Sequence, residues 1–134
     1  MQVARRRGVI FLVGADISMA IALGADGVHL PERDVGKSGA QRFLQKRFLL
    51  TAAAHSVPAA LRARRAGVDA VVYSTVFKSR SPSAATALGQ IAFAARVRRV
   101  GGSVFALGGI NARTAPRLGA TGASGLAGIS GFYA

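Results

Sequence analysis

The sequence predicts an α/β fold with about six parallel strands, arranged as an open sheet or as an incomplete barrel of the (β/α)8 type. Short apolar segments alternate with helix-like segments along the 134 residues, as they do in repeated βα units. The succession of a helix, a glycine, a polar turn and a new strand recurs around Gly24, Gly67 and Gly122. Near the C-terminus two strands run directly into small residues, where a barrel of parallel strands can bind phosphate. The length suits one domain, which we take as residues 1–134.

The strands can be placed in order along the chain. Most are apolar on both faces, which is typical of parallel strands covered by helices. They are Val9–Val13, Gly27–Leu30, Phe48–Ala52, Ala70–Ser74, Ser103–Leu107 and Gly125–Ile129. An eight-stranded barrel usually needs about 200 residues or more. Six strands therefore leave three alternatives: two βα units are missing, the sheet is open, or a partner chain completes it.

Helices are predicted between the strands. The clearest has Pro58 in its first turn, Ser56 as a candidate N-cap and Gly67 after its end. The predicted helices are Ser18–Leu23, Asp34–Lys46, Pro58–Ala66, Leu88–Val100 and a last one capped by Asn111 and ending near Leu118. The second is interrupted by Gly36 and Gly39. The apolar face predicted for the fourth consists of Ile91, Ala92, Ala95 and Val100.

The charge balance is strongly basic. Lysine and arginine number 18 against 5 acidic residues, a formal net charge of +13, which suggests anionic partners or an anionic small substrate. The arginines are nevertheless spread along the chain, with clusters on two predicted helices that read as solvated outer faces. RNA-binding modules usually add exposed aromatic residues for stacking, and the sequence shows no such cluster. The composition therefore does not favour nucleic acid as a partner.

Other composition features narrow the class of protein. The chain has no cysteine, which excludes disulfides and thiolate chemistry. No apolar run approaches the roughly 18 residues of a membrane span. The basic N-terminus precedes only the short apolar segment Val9–Val13, which is shorter than the apolar core of a secretory signal. We therefore expect a cytoplasmic protein without a membrane partner.

Several polar and glycine residues lie at predicted strand ends. Gly108 and Gly109 together with Ser130 predict a phosphate site, although close packing or a turn with positive φ would also explain the glycines. His29 and His55 are candidate acid–base groups, or structural histidines. The aspartates can be explained without a metal ion. Asp34 is a candidate metal ligand or a helix N-cap, and Asp16 is more readily explained as an N-cap. Asp26 and Asp69 are expected to be structural residues of turns.

Four segments carry a family resemblance. The segment from Gly24 to Leu30 reads Gly-Ala-Asp-Gly-Val-His-Leu, and Ala54-His55-Ser56 follows the next strand. Val76-Phe77 then precedes a Ser-rich loop, and Ala106–Asn111 reads Ala-Leu-Gly-Gly-Ile-Asn. In this order and spacing the chain resembles the thiamine phosphate synthase and thiazole tautomerase (TenI-like) superfamily. The resemblance spans roughly residues 9–132 and implies that the six strands are the third to eighth of a (β/α)8 barrel.

The resemblance implies a site for two substrates, in which the residues for one substrate are present and several residues for the other are replaced. The synthase family joins a pyrimidine pyrophosphate to a thiazole phosphate and releases pyrophosphate with the help of Mg²⁺. The residues implied to hold the thiazole phosphate are Gly108, Gly109, Ile129, Ser130, Ser79 and Ser81. The family's Asn-Asp metal motif corresponds here to Gly14 and Ala15, which leaves Asp34 as the remaining candidate ligand for Mg²⁺. Ala53 and Pro82 stand where the family has a serine and a lysine.

These observations leave several functions open. The first is a thiamine phosphate synthase-like transferase that binds a thiazole phosphate. The second is TenI-like tautomerisation, a metal-free proton transfer through His29 or His55. The third is a non-catalytic protein that binds a phosphorylated ligand. The exposed sheet edge expected at Val9–Val13 predicts a homo-oligomer.

Overall fold

The computed structural model describes residues 2–37, 48–79 and 86–129, which form one parallel sheet with helices between the strands. The strands are β1 (Leu12–Gly14), β2 (Gly27–Leu30), β3 (Leu49–Ala54), β4 (Ala70–Tyr73), β5 (Val104–Ala106) and β6 (Gly125–Leu126). Their order in the sheet follows their order in the chain, and every neighbouring pair is parallel. Within the described residues β1 and β6 do not pair with each other, so the sheet is open. The predicted α/β fold with six parallel strands of an incomplete barrel is confirmed.

Helix α1 (Gln2–Arg6) precedes the first strand, and α2 (Ile17–Ala22), α3 (Val57–Arg65) and α4 (Gly89–Val100) connect successive strands. The described residues also form 3-10 helices at Glu32–Lys37 and Ala115–Leu118. The core lies between the sheet and the helices. Leu50, Ala52 and Ala54 of β3 are buried there, while alternate residues such as Thr51 and Ala53 are half-buried on the opposite face. In a closed barrel this opposite face would be the interior, so we call it the inner face.

Side-chain caps explain where several helices begin. Asp16 Oδ1 accepts a hydrogen bond from Met19 N at 2.8 Å, and Ser56 Oγ accepts one from Ala59 N at 3.2 Å. Both N-caps were predicted from the sequence. Asn111 Oδ1 accepts bonds from the backbone N–H groups two and three residues further on, so it also caps a turn as expected.

The two aspartates predicted to be structural hold equivalent turns. Asp26 Oδ2 accepts a hydrogen bond from Phe11 N at 2.8 Å, and Asp69 Oδ2 accepts one from Leu50 N at 2.8 Å. Each carboxylate thus ties the start of its own strand to the start of the preceding one. Because these turns lie at the amino ends of the strands, the carboxylates are far from the end of the sheet where the site residues lie.

Several element boundaries differ from the predictions. β1 begins at Leu12, because its ladder with β2 starts at the Leu12–Gly27 pair and leaves residues 9–11 exposed. The predicted helix Asp34–Lys46 is replaced over its first residues by the 3-10 helix Glu32–Lys37, and residues 38–47 lie outside the described residues. The last predicted helix is a 3-10 helix, Ala115–Leu118, and β6 ends at Leu126.

The buried face of α4 was predicted correctly at Val100 but wrongly at its other positions. Phe93, Val97 and Val100 are its buried residues, at a helical spacing of four and three. Ile91, which was placed on the apolar face, is 82 % exposed. Phe93 lies under the helix because its ring packs edge-on against Tyr73 of β4, with ring centroids 6.1 Å apart. Aromatic packing thus fixes the rotation of this helix.

Candidate functional site

The turn after β5 is shaped by two glycines. Gly108 has a φ of 102° and Gly109 a φ of 64°, both in the region that favours glycine. A Cβ on Gly108 would lie 2.7 Å from Thr75 Cγ2, and one on Gly109 would lie 2.5 Å from the carbonyl oxygen of Lys78. Only glycine therefore allows this turn to pack directly against the segment after β4.

The same turn offers backbone donors. Its carbonyl groups are used, since Val76 N donates to Leu107 O and Phe77 N donates to Gly108 O, both at 2.9 Å. Within the described ranges no backbone or side-chain acceptor takes a hydrogen bond from the N–H groups of Gly108 and Gly109. Two N–H groups without side chains beside them, at the carboxyl end of a parallel strand, can bind the oxygens of a phosphate.

Only some of the other residues predicted to bind phosphate lie within the described part of the chain. Ile129 follows β6 and is 74 % exposed. Ser79 lies in the segment that packs on the glycine turn and is half-buried. Ser81 and Ser130 lie outside the described residues. The structure therefore brings Gly108, Gly109 and the segment leading to Ser79 together, and the two remaining serines stay predictions.

His29 lies on the inner face of the sheet. It occupies β2 opposite Thr51 of β3, and its Nδ1 is 2.9 Å from the hydroxyl of Thr51. Burial lowers the pKa of His29 from its ordinary value of 6.5. The imidazole is therefore neutral at pH 7 and able to accept a proton, which suits a general base and a structural hydrogen bond equally. Thr51 was not predicted, although its register opposite His29 follows once β2 and β3 are paired.

His55 lies at the carboxyl end of β3, on the rim of the sheet. Its Nδ1 is 3.0 Å from Ser74 Oγ, which follows β4, and its backbone N donates to Glu32 Oε2 at 2.8 Å. In the β2–β3 register His29 pairs with Thr51, four residues before His55. The two candidate histidines are therefore at different heights along the sheet, and each has a hydroxyl partner of its own.

The carboxylates described fit Mg²⁺ only in part. Asp34 is half-buried, with Arg33 Nε 3.7 Å from its Oδ2. Asp16, which we considered as a displaced ligand, instead caps α2 through its Oδ1. No group of three or more acidic, histidine or cysteine side chains suited to a metal ion is found within residues 2–37, 48–79 and 86–129. A single carboxylate can hold Mg²⁺ only where phosphate oxygens and water complete the coordination.

Fold and site together define a class of protein. A sheet of successive parallel βα units in chain order is the architecture of an incomplete (β/α) barrel. The sequence comparison then identifies the family: residues 1–132 match the thiamine monophosphate synthase family. The chain belongs to that family, and the resemblance seen in the sequence is confirmed.

Curated relatives give the same result. The chain is 38 % identical over 126 residues to a thiamine-phosphate synthase of Methanocella arvoryzae, and 35 % identical over 121 residues to one of Chlorobium phaeobacteroides. These alignments cover 93 % and 90 % of this chain and 59 % of each relative. The chain thus spans somewhat over half the length of the curated relatives it matches.

Solved structures support the fold. Thiamine phosphate pyrophosphorylase from Pyrococcus furiosus superposes with a TM-score of 0.78 at 27 % identity, covering 96 % of this chain and 60 % of that one. A 3-hexulose-6-phosphate synthase structure superposes with a TM-score of 0.68 at 15 % identity and shows the fold alone. Among the helices that the structure describes, none has the length and apolar character to cross a membrane.

Proposed function

We propose that this chain binds a thiazole phosphate at the Gly108–Gly109 turn and serves the coupling step of thiamine biosynthesis. The observation that carries the proposal is the pair of glycine N–H groups at the carboxyl end of β5. Their conformation is fixed by contact with the segment after β4, so little ordering is needed when an anion binds. Family membership supports the identity of the ligand, because the relatives are named thiamine-phosphate synthases.

The coupling would be a substitution at the methylene carbon of a pyrimidine pyrophosphate. The bond from that carbon to the pyrophosphate oxygen breaks, and the thiazole nitrogen forms the new bond to it. Stabilising the departing pyrophosphate is the main catalytic task. Of the described residues, Asp34 is the candidate to hold Mg²⁺, which would neutralise pyrophosphate charge when bound. Lys78 is exposed in the segment that packs on the glycine turn. It lies four residues before Pro82, which stands where the family has a lysine, and Arg80 lies between them but outside the described residues.

A ligand pair differing only in the phosphate tests the binding proposal. Isothermal titration with thiazole phosphate should give saturable heat at millimolar concentration or below, while the dephosphorylated thiazole alcohol should bind much more weakly. In ¹⁵N NMR spectra the amide signals of Gly108 and Gly109 should shift on addition of thiazole phosphate. Gly67, at the opposite end of the sheet, is the internal control. Equal binding of both compounds, or shifts confined to other regions, would contradict the phosphate site.

A second candidate is metal-free proton transfer of the tautomerase type. It is favoured by the neutral His29 on the inner face and by the presence of one carboxylate where the synthase family uses two. The two candidates differ in their need for metal. A synthase predicts that product formation from both substrates depends on added Mg²⁺, whereas a tautomerase predicts isomerisation of a thiazole that is unchanged by chelator and lost in His29→Gln.

The remaining expectations stay proposals. A homo-oligomer would cover the exposed edge of the sheet, and the cytoplasm would be its location. Nucleic acid is not proposed as a partner, and its binding would appear as an affinity that falls steeply with salt concentration. A small phosphorylated heterocycle remains the proposed partner.

A further inference from the structure

A second cleft lies on the helix side of the sheet, away from the glycine turn. It has a volume of about 440 Å³, within the range of small-molecule sites. The first turn of α3 forms one wall, and Ala92, Ala95 and Arg96 of α4 form the other. Tyr73, the last residue of β4, also lines it. Neither Gly108 nor Gly109 borders this cleft.

One of the residues that line the cleft, Tyr73, has a buried hydroxyl. The side chain of Tyr73 is almost completely buried, with 1 % of the residue exposed, and its Oη has no hydrogen-bond partner within the described part of the chain. Leaving such a group unpaired costs free energy, so native proteins usually satisfy it. Burial raises the pKa of Tyr73, an effect that the neighbouring Arg96 partly offsets, so the phenol is a proton donor at neutral pH. An oxygen atom of a ligand could accept the hydrogen bond that the Tyr73 hydroxyl lacks.

Positive charge surrounds the same cleft. Arg96 lies one helical turn before Arg99, and both border it. Arg96 Nη1 donates a long hydrogen bond, 3.4 Å, to the carbonyl of Ala92, and the Arg96 guanidinium also lies close enough to the Tyr73 hydroxyl to lower the pKa of that phenol. Within residues 2–37, 48–79 and 86–129 no carboxylate lies at ion-pair distance from either arginine. The nearby carboxylate of Glu32 is already engaged, by His55 N and at 3.6 Å by Arg62.

We propose that this cleft binds a small phosphate monoester, whose oxygens accept hydrogen bonds from Tyr73 and Arg96. The amino end of α3 adds a favourable dipole, and Ser56 already caps its Ala59 N–H. Pro58 and the alanines of α4 provide an apolar wall for the organic part of the ligand. An arginine fork and a phenol hydroxyl are suited to phosphate oxygens, because a guanidinium can donate two parallel hydrogen bonds.

Phenyl phosphate is the probe for this site, with inorganic phosphate as a second arm. In a ¹⁵N NMR titration with phenyl phosphate, the amide signals of Val57, Ala92 and Arg96 should shift. The ligand concentration at half-maximal shift gives an affinity that can be compared between variants. Phenyl phosphate should bind more tightly than inorganic phosphate because it also contacts the apolar wall. Shifts confined to the Gly108 and Gly109 amides would overturn the proposal and leave the thiazole phosphate site untouched.

Two arginine variants distinguish binding in the cleft from attraction by the general positive charge of the chain. Arg96→Gln should weaken phenyl phosphate binding by roughly tenfold, the scale of a lost charge-assisted hydrogen bond. Arg98→Gln, an exposed residue of α4 that does not border the cleft, is the charge-matched control and should change affinity less than twofold. Equal losses in the two variants would show diffuse attraction and sink the proposal.

Tyr73→Phe gives a test that a purely structural tyrosine would not pass. Without ligand the variant should melt at a higher temperature, because it removes an unpaired buried hydroxyl. With phenyl phosphate it should lose affinity several-fold, so that the stabilisation by saturating ligand becomes smaller than in the wild type. An unchanged affinity in Tyr73→Phe would exclude the hydroxyl from the site.

Discussion

Gly108 meets two independent constraints at a single residue. Its φ of 102° disfavours any side chain, and the space beside its Cα is occupied by Thr75. Its N–H finds no acceptor within the described residues. The residue therefore serves packing and the proposed phosphate site together, so a substitution must be tested for both.

Gly108→Ala is expected to lower the free energy of unfolding by about 2–4 kcal/mol, from the unfavourable φ and the contact with Thr75. Urea denaturation followed by circular dichroism would measure the loss. Gly119→Ala is the matched control, because Gly119 has a φ of −57° and its nearest contact would be an ordinary 3.7 Å. The control should be neutral or slightly stabilising. A stable Gly108→Ala protein would mean that the turn adopts a different backbone conformation.

The buried position of His29 predicts a pH effect on stability. Because burial lowers its pKa in the folded state, the unfolded chain binds the proton first as the pH falls below 6.5. The free energy of unfolding should therefore decline from about pH 6.5 downwards, toward the pKa of the folded protein. His29→Gln should show a shallower decline over this window. Urea titrations between pH 5 and 8 would measure how the free energy of unfolding depends on pH in both proteins. The same dependence in the wild type and in His29→Gln would refute the conclusion that His29 causes the decline.

At the scale of elements, α2 shows how a cap can be mistaken for a metal ligand. Asp16 lies one residue after the position at which the family has a carboxylate, yet its Oδ1 accepts a hydrogen bond from Met19 N. Asp16→Ala should lower the free energy of unfolding by about 1 kcal/mol. Asp16→Ser should restore most of it, since serine is also a good N-cap. Any Mg²⁺ dependence of ligand binding should be the same in both variants, and its loss in Asp16→Ser would restore Asp16 as a ligand.

Helices were predicted well where the sequence carries capping residues or helix-ending glycines. Ser56 followed by Pro58, and the glycine after α3, define that helix from sequence alone. The rotation of α4 could not be predicted in this way, because the contact between Phe93 and Tyr73 joins distant parts of the chain. α1 was also missed, since its basic sequence has no apolar periodicity and none of its residues is buried.

The candidate site was predictable to the extent that it depends on strand ends. The positions of Gly108 and Gly109 followed from the end of β5 and from the resemblance to the family. The cleft beside α4 was missed, because its arginines read as a solvated helix face and Tyr73 read as an ordinary strand residue. A buried hydroxyl without a partner is a property of the folded molecule, which sequence patterns do not carry.

For the whole molecule, the open sheet predicts self-association. Within the described part of the chain β1 is an edge strand that pairs with β2 alone, and the preceding Ile10 is 63 % exposed beside other exposed apolar residues. Such an edge can pair with another chain unless charge or a cover prevents it. The net charge of +13 opposes association, so salt that screens this charge should strengthen it.

Ile10→Glu separates the apolar edge from the effect of net charge. The substitution lowers the positive charge, which by repulsion alone would favour association, but it also places a carboxylate beside the edge. If the edge drives association, sedimentation velocity should show less oligomer in Ile10→Glu than in the wild type at equal concentration and salt. Ile91→Glu makes the same charge change at a residue that is 82 % exposed on α4, and it should leave the distribution near that of the wild type. A wild-type chain that stays monomeric across concentrations, or equal effects of the two variants, would place the contact elsewhere.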